Sequence, residues 1–297
     1  MITKLRPELV ADVGATDGEG PFWIPGRRRL GWVDIGAGKL HLTDVESGGD
    51  EVIQAGSALG AAAERQGGGF VLALQDGFGL IDRDSTEVRL VAAVDSAGGE
   101  LRMNDGKCDT RGRFWAGTMA YDISQRRGAF YRLDPDLTVT SHFTGLGISN
   151  GFDWLPDGRT AYYIDSLDSR VDVFDSDPDA GELSNRRAAF EVPNDRSVET
   201  GMTLADGMTL DAEGHLWIAV WGAGEVRRYS PAGELEAVVE MPVVSPSSCA
   251  FGGDEYDELY ITSMVPAGVA RGRLPGEGAV YRVRPGVRGV PARTFAG

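Results

Sequence analysis

No run in this chain is long and apolar enough to cross a bilayer as a helix, and no stretch shows a convincing helical period. Cysteine and histidine are scarce, two and three in 297 residues. Each shortage removes a class of protein. Without helical periodicity, bundles and alternating α/β folds are excluded. Cys108 and Cys249 read as buried thiols of a reducing compartment, behaving as small apolar residues, and no histidine stands in a motif that would make either of them a catalytic thiol. Basic charge is also short, with 29 Lys and Arg against 45 Asp and Glu and a net charge of −16. Nucleic acid and anionic membrane both need a positive surface, so neither is an expected partner, whereas a cation is permitted. Most of this acidity is accounted for by a solvated surface. Met1–Pro7 holds no apolar core followed by a cleavage site, and a cytoplasmic location is expected.

Glycine, by contrast, is abundant at 42 residues, and it marks a repeat. A turn-and-strand unit recurs six times: Ile24–Val33, Glu64–Ala73, Asp109–Ala116, Pro156–Ile164, Asp211–Ala219 and Gly252–Thr262. Each copy continues into a third strand and then a fourth apolar one, the third usually opened by glycine, as at Gly38, Gly79, Gly128, Gly224 and Gly278. Short alternating runs bounded by Gly, Pro and Asp are strand and hairpin signals. A fixed period of roughly 40 to 55 residues signals a repeat architecture. Six units of four antiparallel strands predict an all-β, six-bladed β-propeller forming a single domain over residues 1–297. A β-sandwich or a two-domain all-β chain competes, but neither has reason to repeat a four-strand unit six times. Glu8–Val13 and Ala292–Ala296 both read as outer strands, so the sequence leaves ring closure open.

Innermost strands of a propeller converge on its axis. Aligning the six units places Glu19, Ala62, Asn104, Asn150, Asp206 and Ser248 at corresponding positions, 42 to 56 residues apart. Four of these are Glu, Asn or Asp, the oxygen donors that a hard divalent cation requires. No local calcium loop is present, so any ligands must converge through the fold. A single Asn-Gly or Asp-Gly is ordinarily a turn former. Three such segments in register, with Glu19 in a fourth blade, point instead to a cation site. Arg102 lies two residues before Asn104 and on a strand shares its face. A cation beside a metal implies that an anionic or strongly polar group, such as a bound substrate, comes between them. A surface ion pair with Glu100 or Asp105 is the alternative.

At these residues the chain resembles the family that includes regucalcin (senescence marker protein), gluconolactonases and luciferin-regenerating enzyme. The matching segments are Gly18–Trp23, Arg102–Asp109 with Gly112–Met119, Ser149–Trp154, Leu204–Met208 with Asp211–Gly214, and Cys249–Gly253. The resemblance implies one catalytic divalent cation held by Glu19, Asn150 and Asp206, with Asp206 also serving as general base. It implies substrate contacts from Arg102 and Asn104. Tyr121, followed by Asp122, stands where animal members carry an acidic residue for sugar hydroxyls, and it is taken here as a third substrate-binding residue.

The expected activity is metal-dependent hydrolysis of a sugar lactone, such as glucono-, xylono- or arabinono-lactone, to its aldonic acid. Another metal-dependent esterase or phosphoesterase on the same propeller, and a non-enzymatic calcium-binding propeller, are the alternatives. An oxygen-rich site with one Asn accepts Ca, Mg, Mn, Zn or Fe(II). The expected partner is a small lactone, and the expected state a monomer or small homo-oligomer. An insertion at 195–202 lengthens the fifth spacing and is expected to form a loop near the mouth.

Overall fold

The computed structural model describes residues 2–123, 125–193, 201–266 and 272–297, so the insertion at 195–202 lies, apart from its last two residues, outside the described residues. Six sheets of at least four strands follow one another along the chain. They form the six blades of a β-propeller. Among the described residues there is no α-helix, only three short 3-10 turns.

The innermost strands are Gly18–Ile24, Leu59–Glu64, Leu101–Cys108, Ser149–Trp154, Leu204–Leu210 and Pro246–Gly252. Each pairs antiparallel with the strand that follows it. The hydrophobic residues fall into six clusters, one for each contact between neighbouring blades. Both faces of a blade are therefore buried, which is why the strands read as nearly continuous apolar runs such as Phe70–Leu74 and Leu216–Trp221.

The repeated Asp-x-x-Gly turn has a mechanical role in two blades. Asp109 accepts hydrogen bonds from the backbone of Arg111 and Arg113 and from the indole of Trp115 at 3.1 Å. Asp211 does the same for Glu213, His215 and the indole of Trp217, again at 3.1 Å. One carboxylate thus closes the turn and satisfies a buried Trp N–H.

Closure comes from the N-terminus. Glu8–Ala11 pairs antiparallel with Val280–Val283 as the outer strand of the sixth blade, and Thr3–Leu5 adds a parallel fifth strand to the blade before it. The expectation that Ala292–Ala296 is an outer strand is corrected. This segment crosses the end of the channel opposite the mouth, where Phe295 exchanges backbone hydrogen bonds with Glu64 and Gln66 and Ala296 N–H donates to Gly112. Phe295 is fully buried between the second and third blades, so its apolar contacts rather than a ladder hold the segment.

Every innermost strand carries a register shift near the channel mouth: at Glu19–Phe22, Leu59–Ala61, Met103–Gly106, Asn150–Phe152, Ala205–Met208 and Pro246–Ser248. An extra residue in one strand bends it and re-aims its side chains. These bulges also correct the alignment in two blades, because a count that ignores them slips the register. Leu59, rather than Ala62, is the last paired residue before its bulge, as Glu19 is in the first blade, and Ala62 and Ser248 both line a cavity further down the axis.

Candidate metal and substrate site at the channel mouth

The bulges bring residues from separate blades into one cavity of about 240 Å3, lined on its polar side by Asp17, Glu19, Arg102, Asn104, Asn150 and Asp206. Glycine makes this approach possible. A Cβ on Gly60 would lie 2.2 Å from the Asn104 carbonyl oxygen, and one on Gly151 would lie 2.8 Å from that of Asp206. Larger residues there would push the innermost strands apart.

Asn150 is buried, and its Nδ2 donates to the Ser166 hydroxyl at 3.0 Å. Ser166 in turn donates to the Ala205 carbonyl at 2.6 Å. With the hydrogen bond that Asn150 also makes to the Asp206 carboxyl, this uses the NH2 end of the amide and leaves Asn150 Oδ1 buried without a hydrogen-bond partner among the described residues. Glu19 and Asp206 are also buried. Burial pushes both carboxyls well above their ordinary range, and neighbouring carboxylates add to this, Asp206 and Asp105 acting on Glu19 and Asp105 acting on Asp206. Two crowded carboxylates and an orphaned amide oxygen are the donor set of a hard cation, which would offset the repulsion and satisfy the amide. The three residues expected as ligands therefore fit the group.

Arg102 Nη1 donates to the Asn104 side-chain oxygen at 2.6 Å and to the Met103 carbonyl at 3.0 Å. Asn104 Nδ2 donates to the Ser149 carbonyl at 2.8 Å. Asn104 thus holds the guanidinium in place across two blades. Among the described residues no carboxylate pairs with Arg102, so the alternative of an ion pair with Glu100 or Asp105 is not realised. Glu100 instead meets Arg127. Burial lowers the Arg102 pKa, while Tyr121, Asp17, Glu19 and Asp206 oppose that shift. Tyr121 lies at the rim, 54% exposed, its ring 5.9 Å from the Arg102 guanidinium carbon and its hydroxyl donating to Gln75. It is outside the residues that line the cavity.

Sequence reasoning missed three side chains. Ser166 follows the second strand of its blade, outside the aligned ring. Asp105 sits one residue beyond the ring and faces the axis, where burial raises its pKa and Lys107 opposes the rise. Asp17 precedes the first blade and was obscured by its neighbour Glu19. The pair Asp17 and Glu19, two apart at a strand start, was the available signal.

Below the mouth, Lys107 donates to Asp153 at 2.9 Å and to the Met208 carbonyl, and Arg293 meets the other Asp153 oxygen at 3.0 Å. Burial favours the protonated form of Asp153, but these two cations outweigh it and hold its pKa below the usual range. Asp211, Glu213 and His215 also gather within 4.8 Å of one another. Arg228 already occupies that cluster, donating to Asp211, Glu213 and Glu236. Cys108 and Cys249 are buried and free. Burial raises both thiols, Cys249 to about 12, so neither supplies a thiolate.

The fold and this mouth define a six-bladed propeller with a cavity of oxygen donors on its axis. The chain belongs to the SMP-30/Gluconolactonase/LRE-like family, whose profile matches residues 17–265. It is 37% identical to regucalcin of Gallus gallus and 35% identical to regucalcin of Xenopus laevis, each alignment spanning the whole of both chains. Among solved structures it is similar to a luciferin-regenerating enzyme, with a TM-score of 0.87 and 29% identity over 98% of this chain and 100% of that one. It is likewise similar to regucalcin from Agrobacterium tumefaciens, described as a calcium-binding protein, with a TM-score of 0.89 and 25% identity over 99% of each chain.

Proposed function

We propose that this protein is a metal-dependent lactonase that opens a sugar lactone, such as glucono-, xylono- or arabinono-lactone, to the aldonic acid. The observation that carries the reading is that, among the described residues, the buried Asn150 Oδ1 has no hydrogen-bond partner and Arg102 has no ion pair, in the cavity that Glu19 and Asp206 also line. Glu19, Asn150 and Asp206 would hold a divalent cation. When bound it supplies Lewis acidity, polarising the lactone carbonyl or lowering the pKa of water. Calcium is the first ion to test, because the related Agrobacterium propeller is described as calcium-binding. Manganese, zinc, magnesium and ferrous iron satisfy the same donors.

The chain's own groups divide the remaining work. Asp206 accepts a proton from the attacking water, a role in which geometry matters before pKa. Arg102, steadied by Asn104, donates N–H to the carbonyl oxygen as negative charge develops there. As the acyl C–O bond breaks, the ring oxygen takes up the proton held by Asp206, giving the hydroxy acid. The balance is one water consumed for one lactone. A site that merely stored calcium would gain nothing from a neighbouring guanidinium, which favours the catalytic reading over a non-enzymatic one. Tyr121 would contribute from the rim, as the wall behind Arg102.

The test is acid release from each lactone, followed with a pH indicator, on chelator-stripped protein with and without added cation. Metal-dependent release above spontaneous opening is expected. Rates equal to the spontaneous rate with every cation would overturn the reading.

A further inference from the structure

We infer that Asp17 is a specificity-determining residue of the mouth cavity, whose carboxylate accepts hydrogen bonds from substrate hydroxyls on the ring edge away from the reacting carbonyl. This rests on the lactonase reading and adds to it the residue that reads the substrate's hydroxyls.

Asp17 lines the same cavity as Glu19, Arg102 and Asp206. Among the described residues it is the one carboxylate in that lining not taken as a cation ligand. Its place is fixed by the backbone. Asp17 N–H donates to the Asp34 carboxylate at 3.0 Å, its carbonyl accepts from Ile35 N–H at 3.1 Å, and it bridges to Met264 of the sixth blade. Asp34 also accepts from the Thr16 N–H at 3.1 Å. Closing this turn therefore falls to the Asp34 side chain, and the Asp17 side chain is not needed for it. Among the described residues the Asp17 carboxyl forms no ion pair; burial and the neighbouring Asp34 raise its pKa, and Arg102 and the Gly36 backbone N–H oppose the rise. A half-buried carboxylate without a cationic partner is costly to keep unless something else donates to it.

The rest of the cavity narrows the donor. Met119, Ile148, Leu204, Trp221 and Met264 form an apolar wall that offers no side-chain acceptor. A ligand lying on that wall has a CH-rich face toward it and O–H groups at its edge. A carboxyl group presents two oxygens side by side, which suits neighbouring hydroxyls. Within the lactonase reading, the ligand class is thus a polyhydroxylated ring.

The experiment compares glucono-δ-lactone with unhydroxylated δ-valerolactone on wild type, Asp17→Asn and Asp17→Leu. The ratio of kcat/KM for the two lactones is expected to fall about tenfold or more in Asp17→Leu, mostly through KM, and less in Asp17→Asn, because hydrogen bonds are lost only for the hydroxylated ring. Calorimetry with the unreactive lactam isostere of the hydroxylated lactone should show a matching loss of affinity. A ratio and a lactam affinity both within about twofold of wild type overturn the assignment of Asp17 while leaving the lactonase reading intact. Equal losses on both lactones also overturn it. Wild-type protein that opens neither lactone and binds no lactam overturns the reading beneath it.

Discussion

The amide of Asn150 donates to the hydroxyl of Ser166 at 3.0 Å and also hydrogen-bonds the Asp206 carboxyl, while its buried oxygen has no hydrogen-bond partner among the described residues. Ser166 also donates to the carbonyl of Ala205, the neighbour of Asp206. A single hydroxyl therefore ties the two innermost strands that carry Asn150 and Asp206. Ser166→Ala frees the amide to rotate and is expected to weaken cation affinity by about tenfold, in line with the loss of other groups that orient a ligand. Calorimetric titration of the chelator-stripped variant with calcium and manganese measures this. Unchanged affinity for both would remove Ser166 from the site.

The raised pKa values of Glu19 and Asp206 make the metal-free protein sensitive to pH in a defined direction. Folded-state values above the unfolded ones mean that the native state binds more protons between the two. Their stabilising contribution is complete below the ordinary carboxylate range and is lost as pH rises through the raised values. Glu19→Gln and Asp206→Asn remove that loss. In chelator the double variant should become progressively more stable than wild type as pH climbs from 5 to 8, read as the difference in melting temperature. A pH-independent difference would mean that the two carboxyls titrate normally. Added cation should raise the wild-type melting temperature more at pH 8 than at pH 5, since protons compete for the same oxygens.

Arg102 carries a third expectation. Its fork reaches Asn104 Oδ1 and the Met103 carbonyl through one nitrogen, leaving other N–H groups for a ligand. Lysine keeps the charge but not the fork. Arg102→Lys should lose about tenfold to a hundredfold in kcat/KM with cation affinity little changed. Full activity in this variant would assign Arg102 a purely structural part.

Much of this was legible in the sequence because a propeller writes its strands as repeats. The blade order, the antiparallel four-strand unit and the convergence of Glu19, Asn150 and Asp206 follow from spacing alone. The register of two blades did not. A bulge adds a residue without altering composition, so Ala62 and Ser248 were aligned with the mouth although both lie further down the axis. Tyr121 was placed by resemblance, and nothing in its neighbours indicates that it lies on the rim against Arg102. Asp17 and Ser166 were missed for a different reason. Each acts across blades, and a repeat alignment compares equivalent positions rather than neighbours in space. The C-terminal segment misled through its alternating polar and apolar residues, which suit an outer strand as well as a crossing chain.

That segment supports the last expectation. Phe295 is fully buried against Cys108, Phe114 and Leu133 at the contact between the second and third blades, and Arg293 shares Asp153 with Lys107 on the axis. Phe295→Ala leaves a cavity that the surrounding strands cannot fill and should cost about 3 kcal/mol. Asp153→Asn leaves two cations around a neutral amide and should cost a similar amount at pH 7, on the order of 3 kcal/mol. The two are separated by pH. Asp153 is held below the usual range, so its contribution is present above that range and is lost as pH falls through its lowered value. The deficit of Asp153→Asn relative to wild type should therefore shrink in acid, whereas that of Phe295→Ala should not. Urea unfolding at pH 7 and at pH 3 to 4 makes the comparison. Parallel behaviour of the two variants would show that the charge on Asp153 does not hold the C-terminal segment across the channel.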